Sequence, residues 1–244
     1  MIEAMIFDLD GTLVQTEKLK ALSYAKAAVE LCPFRLSESA VVDAFKEVVG
    51  LSRREVATAL VEKFDLAQKA AGIMDELGVS TPWQAFIQVR LKYYDAMLSD
   101  PEVIRQHRWP HNLEVLDNAR QAGCRTALAT MSRCQQASRI LEILDLESAF
   151  DFVATRDDVS RPKPDPEIYT LAADQLEVAA QHCLVLEDSP TGVRAALAAG
   201  MLVVAVATPF TRQGLTTVDG LEDEWIVTDP ELVAQVVRRR MSRR

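Results

Sequence analysis

The sequence predicts an α/β fold: a parallel β-sheet with helices on both faces, interrupted by an inserted all-helical domain. Three observations predict it. From about residue 112 onward, short unbroken apolar runs alternate with helix-patterned stretches. One further apolar run, "AMIFDLD" (4–10), stands apart at the N-terminus. Between them, residues 16–108 carry helical patterning and few strand-like runs. Strands buried on both faces read as continuous hydrophobic runs, and strand–helix–strand repetition builds a parallel sheet.

Taken in order, the predicted strands are "AMIFDLD" (4–10), "CRTALAT" (124–130), "FDFVA" (150–154), "CLVLED" (183–188), "LVVAVA" (202–207) and "EWIVT" (224–228). Helices separate them at "NLEVLDNARQAG", "QQASRILEILDL", "PEIYTLAADQL" and "PTGVRAALAAG". Several begin with proline or end with glycine, as helices do. The inserted segment reads as helices at "EKLKALSYAKAAVEL", "ESAVVDAFKEVV", "RREVATALVEKF" and "PWQAFIQVRLKYYDAML". The expected domains are therefore 1–15 with 109–244, the sheet domain, and 16–108, the helical one.

Composition narrows the function. A net charge of -9 disfavours a general nucleic-acid binder, whose phosphate contacts want a basic face. The basic run "VVRRRMSRR" at 236–244 reads as a frayed, solvated helix end. No stretch reads as a signal or a membrane span, and "MLVVAVA" (201–207) is far too short for one. Four scattered cysteines without a CxxC pair, and three histidines, give no support to a zinc site or a Ser-His-Asp triad. A soluble cytoplasmic protein is expected.

Ligand sites of open parallel sheets lie outside the carboxyl ends of the strands. The first strand brings Asp8 and Asp10 there, and "RTALAT" brings Thr130, followed by Met131 and Ser132. "RPKPDP" supplies Lys163, and "CLVLED" supplies Glu187 and Asp188. Carboxylates so crowded repel one another unless a cation joins them, and an all-oxygen set suits a hard cation such as magnesium. Asp8, Asp188 and the carbonyl near Asp10 would hold it, with Glu187 as ligand or water-mediated partner. Lys163, Thr130 and Met131 would complete a cradle for a phosphoryl group. One aspartate can then attack phosphorus while the other moves the proton. Asp8, at the strand tip, is the expected nucleophile and Asp10 the acid/base.

The motifs "DLDGT" (8–12), "ALAT" ending at Thr130, "RPKPDPEIY" and "LVLEDSPTGVRAALAAGM" resemble those of the haloacid dehalogenase-like hydrolase superfamily. The likeness is to its subgroup with a helical cap after the first strand. The resemblance implies a Rossmann-like core, magnesium and an aspartyl-phosphate intermediate. It also implies Asp8, the Asp10 carbonyl and Asp188 as metal ligands. The dehalogenases lack an acid/base aspartate at the position of Asp10, which points to phosphoryl transfer. "GLSRRE" (50–55) resembles the cap loop in which β-phosphoglucomutases place an arginine, here Arg53, on the non-reacting phosphate. Lys20 stands where those mutases have histidine, and "HRWPHN" (107–112) departs from the usual pattern. The expectation is a magnesium-dependent phosphatase of a small phosphorylated metabolite, a sugar phosphate foremost. The alternatives are a β-phosphoglucomutase-type phosphomutase and a non-catalytic metabolite-binding protein. No nucleic-acid or membrane partner is expected.

Overall fold

The structure, a computed structural model, describes residues 1–49 and 51–242. Six strands form one sheet: β1 (Ala4–Phe7), β2 (Arg125–Ala129), β3 (Phe152–Ala154), β4 (Cys183–Glu187), β5 (Leu202–Val206) and β6 (Ile226–Val227). Their order is β3-β2-β1-β4-β5-β6, and every pairing is parallel. The chain steps outward from β1 to β3 and then returns to the other side of β1. The direction of winding thus reverses between β1 and β4, the position where such sheets open a crevice for ligands. β1 and β4 are buried along their whole length, as their unbroken apolar runs require.

The first strand is shorter than its sequence suggests. Pairing in the named strand ends at Phe7, opposite Leu128 and Leu186, and the Asp8 N–H adds one bond to the Leu186 carbonyl at 3.0 Å. The chain then turns, with the N–H groups of Leu13 and Val14 donating to the Leu9 carbonyl. Gly11 makes the turn at a φ of 93°, a region that side chains disfavour. The segment "HRWPHN", which carried no reading in the sequence, buttresses this turn. Trp109 N–H donates to the Leu13 carbonyl at 2.8 Å, and buried Asn112 donates through Nδ2 to the Thr12 carbonyl at 2.6 Å.

Beneath the sheet, helix Glu167–Leu176 buries Ile168, Tyr169, Ala172, Ala173 and Leu176, a helical spacing that makes one apolar face. Helix Pro190–Ala198 starts on a cap in which Ser189 Oγ accepts the Gly192 N–H at 3.0 Å. The basic C-terminal run is more than a solvated end. Helix Val233–Ser242 buries Val233 and Val237. Arg239 and Arg240 place their guanidinium carbons 5.0 and 4.1 Å from the ring centre of buried Trp225. Cation–π attraction and the apolar stems hold both arginines there. Arg243 and Arg244 lie outside the described residues.

The chain divides into two compact units, Met1–Gln15 with Ile104–Arg244, and Thr16–Val103. The second unit consists of helices Thr16–Leu31, Glu38–Val48, Arg53–Lys63 and Pro82–Ser99, with short turns Ala67–Ala71 and Met74–Leu77 between them. Its core gathers on Tyr24, whose ring centre lies 5.5 Å from that of Phe45 and 5.7 Å from that of Phe86. Ser52 and Glu55 close a reciprocal capping box at the start of Arg53–Lys63. No helix among the described residues is long and apolar enough to cross a membrane.

Candidate active site

Asp8 leaves the tip of β1 with only 5% of its surface exposed. Its Oδ1 accepts from Lys163 Nζ at 2.7 Å. Lys163 also donates to the Ala129 carbonyl at 3.0 Å and to Glu187 Oε1 at 2.8 Å. Its ammonium stands 4.8 Å from the centre of the Tyr169 ring. Three elements therefore fix this lysine: the end of β2, the end of β4 and the helix that follows its own loop. That loop is pinned by Glu167, whose carboxylate accepts the N–H groups of Ser160 and Arg161 at 2.8 and 2.9 Å.

Glu187 is fully engaged. Besides Lys163, its Oε1 accepts from the Tyr169 hydroxyl at 3.3 Å, and its Oε2 accepts from the N–H and Oγ of Ser189 at 2.6 and 3.0 Å. Gly192 leaves room for it, since a Cβ at that position would lie 1.6 Å from Glu187 Oε1. Asp188, 1% exposed, accepts from Thr12 Oγ1 at 3.4 Å. A Cβ on Gly11 would come within 2.2 Å of Asp188 Oδ2, so the glycine serves both the turn and the carboxylate beside it. Asp8, Glu187 and Asp188 each offer one oxygen within 4.8 Å of the others, all buried.

Asp10 faces a different set. Its Oδ2 accepts from Thr130 Oγ1 at 3.2 Å and from Ser132 Oγ at 2.6 Å. Thr130 Oγ1 in turn accepts the Ser132 N–H at 3.0 Å. The side chain of Met131 packs against the hydrophobic core. The structure thus brings Asp8, Lys163, Glu187 and Asp188 together, and Asp10 with Thr130. Arg53 and Lys20 belong to the helical unit. Arg53 is exposed at the first position of its helix, and Lys20 pairs with Glu17 at 2.6 Å. Gly50, the first residue of "GLSRRE", lies outside the described residues. Sequence reasoning assigned no part to Tyr169, Ser189 or Gly192. The only local signal was their place beside "KPDP" and "EDSP".

The electrostatics follow from burial. Desolvation pushes the Asp8 carboxyl up to about 8, while the Lys163 ammonium pulls it down and the charges of Glu187 and Asp10 add to the rise. Burial alone would lower Lys163, but the carboxylates of Asp8 and Glu187 overcome it and hold the ammonium well above the usual lysine value. Burial, and then Glu187, keep the Tyr169 hydroxyl protonated far past neutrality, so it remains a donor. Three buried carboxyl groups share one ammonium, and a hard cation fits this all-oxygen donor set.

Fold and site together define an α/β protein with buried carboxylates clustered at the switch point of a parallel sheet. The chain belongs to the haloacid dehalogenase-like hydrolases, whose family model matches residues 5–206. It is 28% identical over 200 residues to a phosphorylated carbohydrates phosphatase of Thermotoga maritima, covering 82% of each chain. It is 29% identical over 219 residues to hexitol phosphatase A of Escherichia coli, covering 89% of this chain and 88% of that one. Among solved structures, one from Thermotoga maritima, provisionally assigned as a β-phosphoglucomutase, superposes with a TM-score of 0.71 at 26% identity. That match covers 98% of this chain and 99% of the other.

Proposed function

We propose that this hydrolase is a magnesium-dependent phosphatase of small phosphorylated metabolites, sugar phosphates foremost, acting through an aspartyl phosphate on Asp8. One observation carries the reading. Asp8, the carboxylate at the tip of β1, is held 2.7 Å from Lys163 Nζ and within 4.8 Å of Asp188 and Glu187. In this reading Asp8, the Asp10 carbonyl and Asp188 hold the magnesium, and Glu187 serves as the anchor of Lys163. The bound cation would supply charge neutralisation between nucleophile and phosphoryl group.

The chain's own residues do the rest. An Asp8 carboxylate oxygen attacks phosphorus, the ester P–O bond breaks, and Asp10 gives its proton to the departing oxygen. Lys163, the Thr130 hydroxyl and the Met131 amide bind the phosphoryl oxygens as charge develops on them. Water then attacks the phosphorus of the aspartyl phosphate, Asp10 takes the proton, and phosphate leaves with Asp8 restored. The segment 16–108 serves as the cap, with Arg53 the candidate for a non-reacting phosphate and Lys20 a candidate substrate residue. Relatives named for phosphorylated carbohydrates and hexitols support the sugar-phosphate class. Four cysteines with free thiols suit a reducing cytoplasm. A phosphomutase is the second reading, favoured by the β-phosphoglucomutase-type neighbour.

The test is a panel of phosphate esters assayed with magnesium and with a chelator. Magnesium-dependent phosphate release is expected, with no turnover and no phosphorylated protein by mass spectrometry for Asp8→Asn. Asp10→Asn should lose roughly a hundredfold to ten-thousandfold in rate. Phosphate found on Thr130 or Ser132 of the trapped enzyme would sink the mechanism.

A further inference from the structure

Ser132 lies in the loop between β2 and helix Cys134–Ile143, and its hydroxyl has one partner among the described residues. Its Oγ donates to Asp10 Oδ2 at 2.6 Å, closer than the 3.2 Å bond that Thr130 Oγ1 makes to the same oxygen. The backbone of Ser132 is fixed on both sides. Its N–H donates to Thr130 Oγ1 at 3.0 Å, and its carbonyl accepts the Arg156 N–H at 3.0 Å. Ser132 is buried, and Asp10 is half-buried. The two carboxylate oxygens of Asp10 therefore differ. Oδ2 takes both hydroxyls, while Oδ1 has no hydrogen-bond partner among the described residues.

A hydroxyl carries a single proton to donate. The Thr130 hydroxyl donates to Asp10 here, and it is also the group that would bind a phosphoryl oxygen. It cannot do both at once. With a phosphoryl group on Thr130, Ser132 is the donor that stays on Asp10 Oδ2. A carboxyl group accepts at one oxygen whether or not the other is protonated, so this anchor holds in both states of the acid. We propose that Ser132 is the positioning residue of the acid/base, its hydroxyl holding Asp10 by Oδ2 so that Oδ1 is the oxygen that carries the proton. In the first step the proton on Oδ1 passes to the ester oxygen as the P–O bond breaks. In the second step Oδ1 takes a proton from the water whose oxygen attacks phosphorus. The inference rests on the phosphatase reading and adds which oxygen works and what aims it.

The test compares two esters in the full chain with magnesium. One is the alkyl phosphate hydrolysed fastest in the panel, whose departing oxygen needs a proton. The other is p-nitrophenyl phosphate, whose phenolate leaves without one. Ser132→Ala should lower the ratio of kcat/KM for the first over the second by roughly tenfold to a hundredfold, because a loosely held acid loses part of its contribution. With p-nitrophenyl phosphate, kcat should fall further than kcat/KM and nitrophenol should appear in a burst, since the water of the second step still needs Asp10. Ser132→Cys, close in size but a weak donor, should show the same split and replaces the alanine variant if that one does not fold. A ratio equal to the parent's overturns the proposal, for a serine that only shaped the loop or touched the phosphoryl group would slow both esters alike. Asp10→Asn separates the two readings. If it lowers the ratio and the Ser132 variants do not, the proposal alone fails. If it leaves the ratio unmoved, or no ester is hydrolysed, the phosphatase reading fails and the proposal with it.

Discussion

Gly192 and Glu187 show how closely the site is fitted at the level of single atoms. A methyl group on Gly192 would lie 1.6 Å from Glu187 Oε1, the oxygen that also receives Lys163. Gly192→Ala must therefore push Glu187 away from Lys163 and Tyr169, or shift the helix start. A loss of about 1–3 kcal/mol is expected from such overpacking, read from the urea midpoint, together with reduced turnover. An unchanged midpoint would show that Glu187 has room the structure does not give it. Asp8 sets a second prediction. Its carboxyl titrates near 8 in the fold, above the ordinary 3.8, because burial opposes its charge. Between those values the native state keeps a proton that the unfolded chain has released, so this group makes stability fall as pH rises toward about 8. A cation bound at Asp8 displaces that proton. Magnesium should therefore raise the melting temperature more at about pH 8 than at about pH 5. Equal shifts at both would contradict the raised value.

At the scale of elements, helix Glu167–Leu176 has two duties. Its apolar face fills the core under the sheet, and the first turn sets Tyr169 against Lys163 and Glu187. Tyr169→Phe separates them, because the ring remains while the hydroxyl is lost. About 1 kcal/mol of stability should go with the hydrogen bond to Glu187. Chemical denaturation measures it, and a variant as stable as the parent would mean that the 3.3 Å contact contributes nothing. The segment "HRWPHN" is the counterpart on the other side of the site. Through Trp109 and Asn112 it ties the turn after β1 at the Leu13 and Thr12 carbonyls. Its unusual composition thus serves the loop that carries Asp8 and Asp10.

Under the proposed mechanism, the whole molecule has to choose between water and a sugar hydroxyl as the acceptor of the phosphoryl group. Both reactions share Asp8, and a mutase needs in addition a second phosphate position and exclusion of water. Lys20, paired with Glu17, stands where the mutases carry histidine. Hydrolysis is therefore expected to prevail. Incubation with β-glucose 1-phosphate and a trace of glucose 1,6-bisphosphate decides it, with free phosphate forming faster than glucose 6-phosphate. The reverse order would make the chain a mutase, and Arg53→Ala should then remove the isomerisation.

The sequence by itself determined the α/β class and the parallel sheet, because strands buried on both faces must be written as unbroken apolar runs. It also marked Asp8, Asp10, Thr130, Lys163, Glu187 and Asp188, because each ends or follows such a run. Three-dimensional packing decided the rest. β1 stops at Phe7, and the turn that follows accepts bonds from Trp109 and Asn112, about a hundred residues away in the chain. The hydroxyl of Ser132 meets Asp10, and Glu187 binds Lys163 and Ser189, because the order of the strands sets their tips side by side. Arg90 reads in sequence as one more helix residue, whereas in the fold its guanidinium lies against the rings of Tyr94, one turn on, and of Tyr24 from another helix. Local patterning fixes which face of an element is buried. Which distant groups share that burial, and with what charge, is a property of the assembled fold alone.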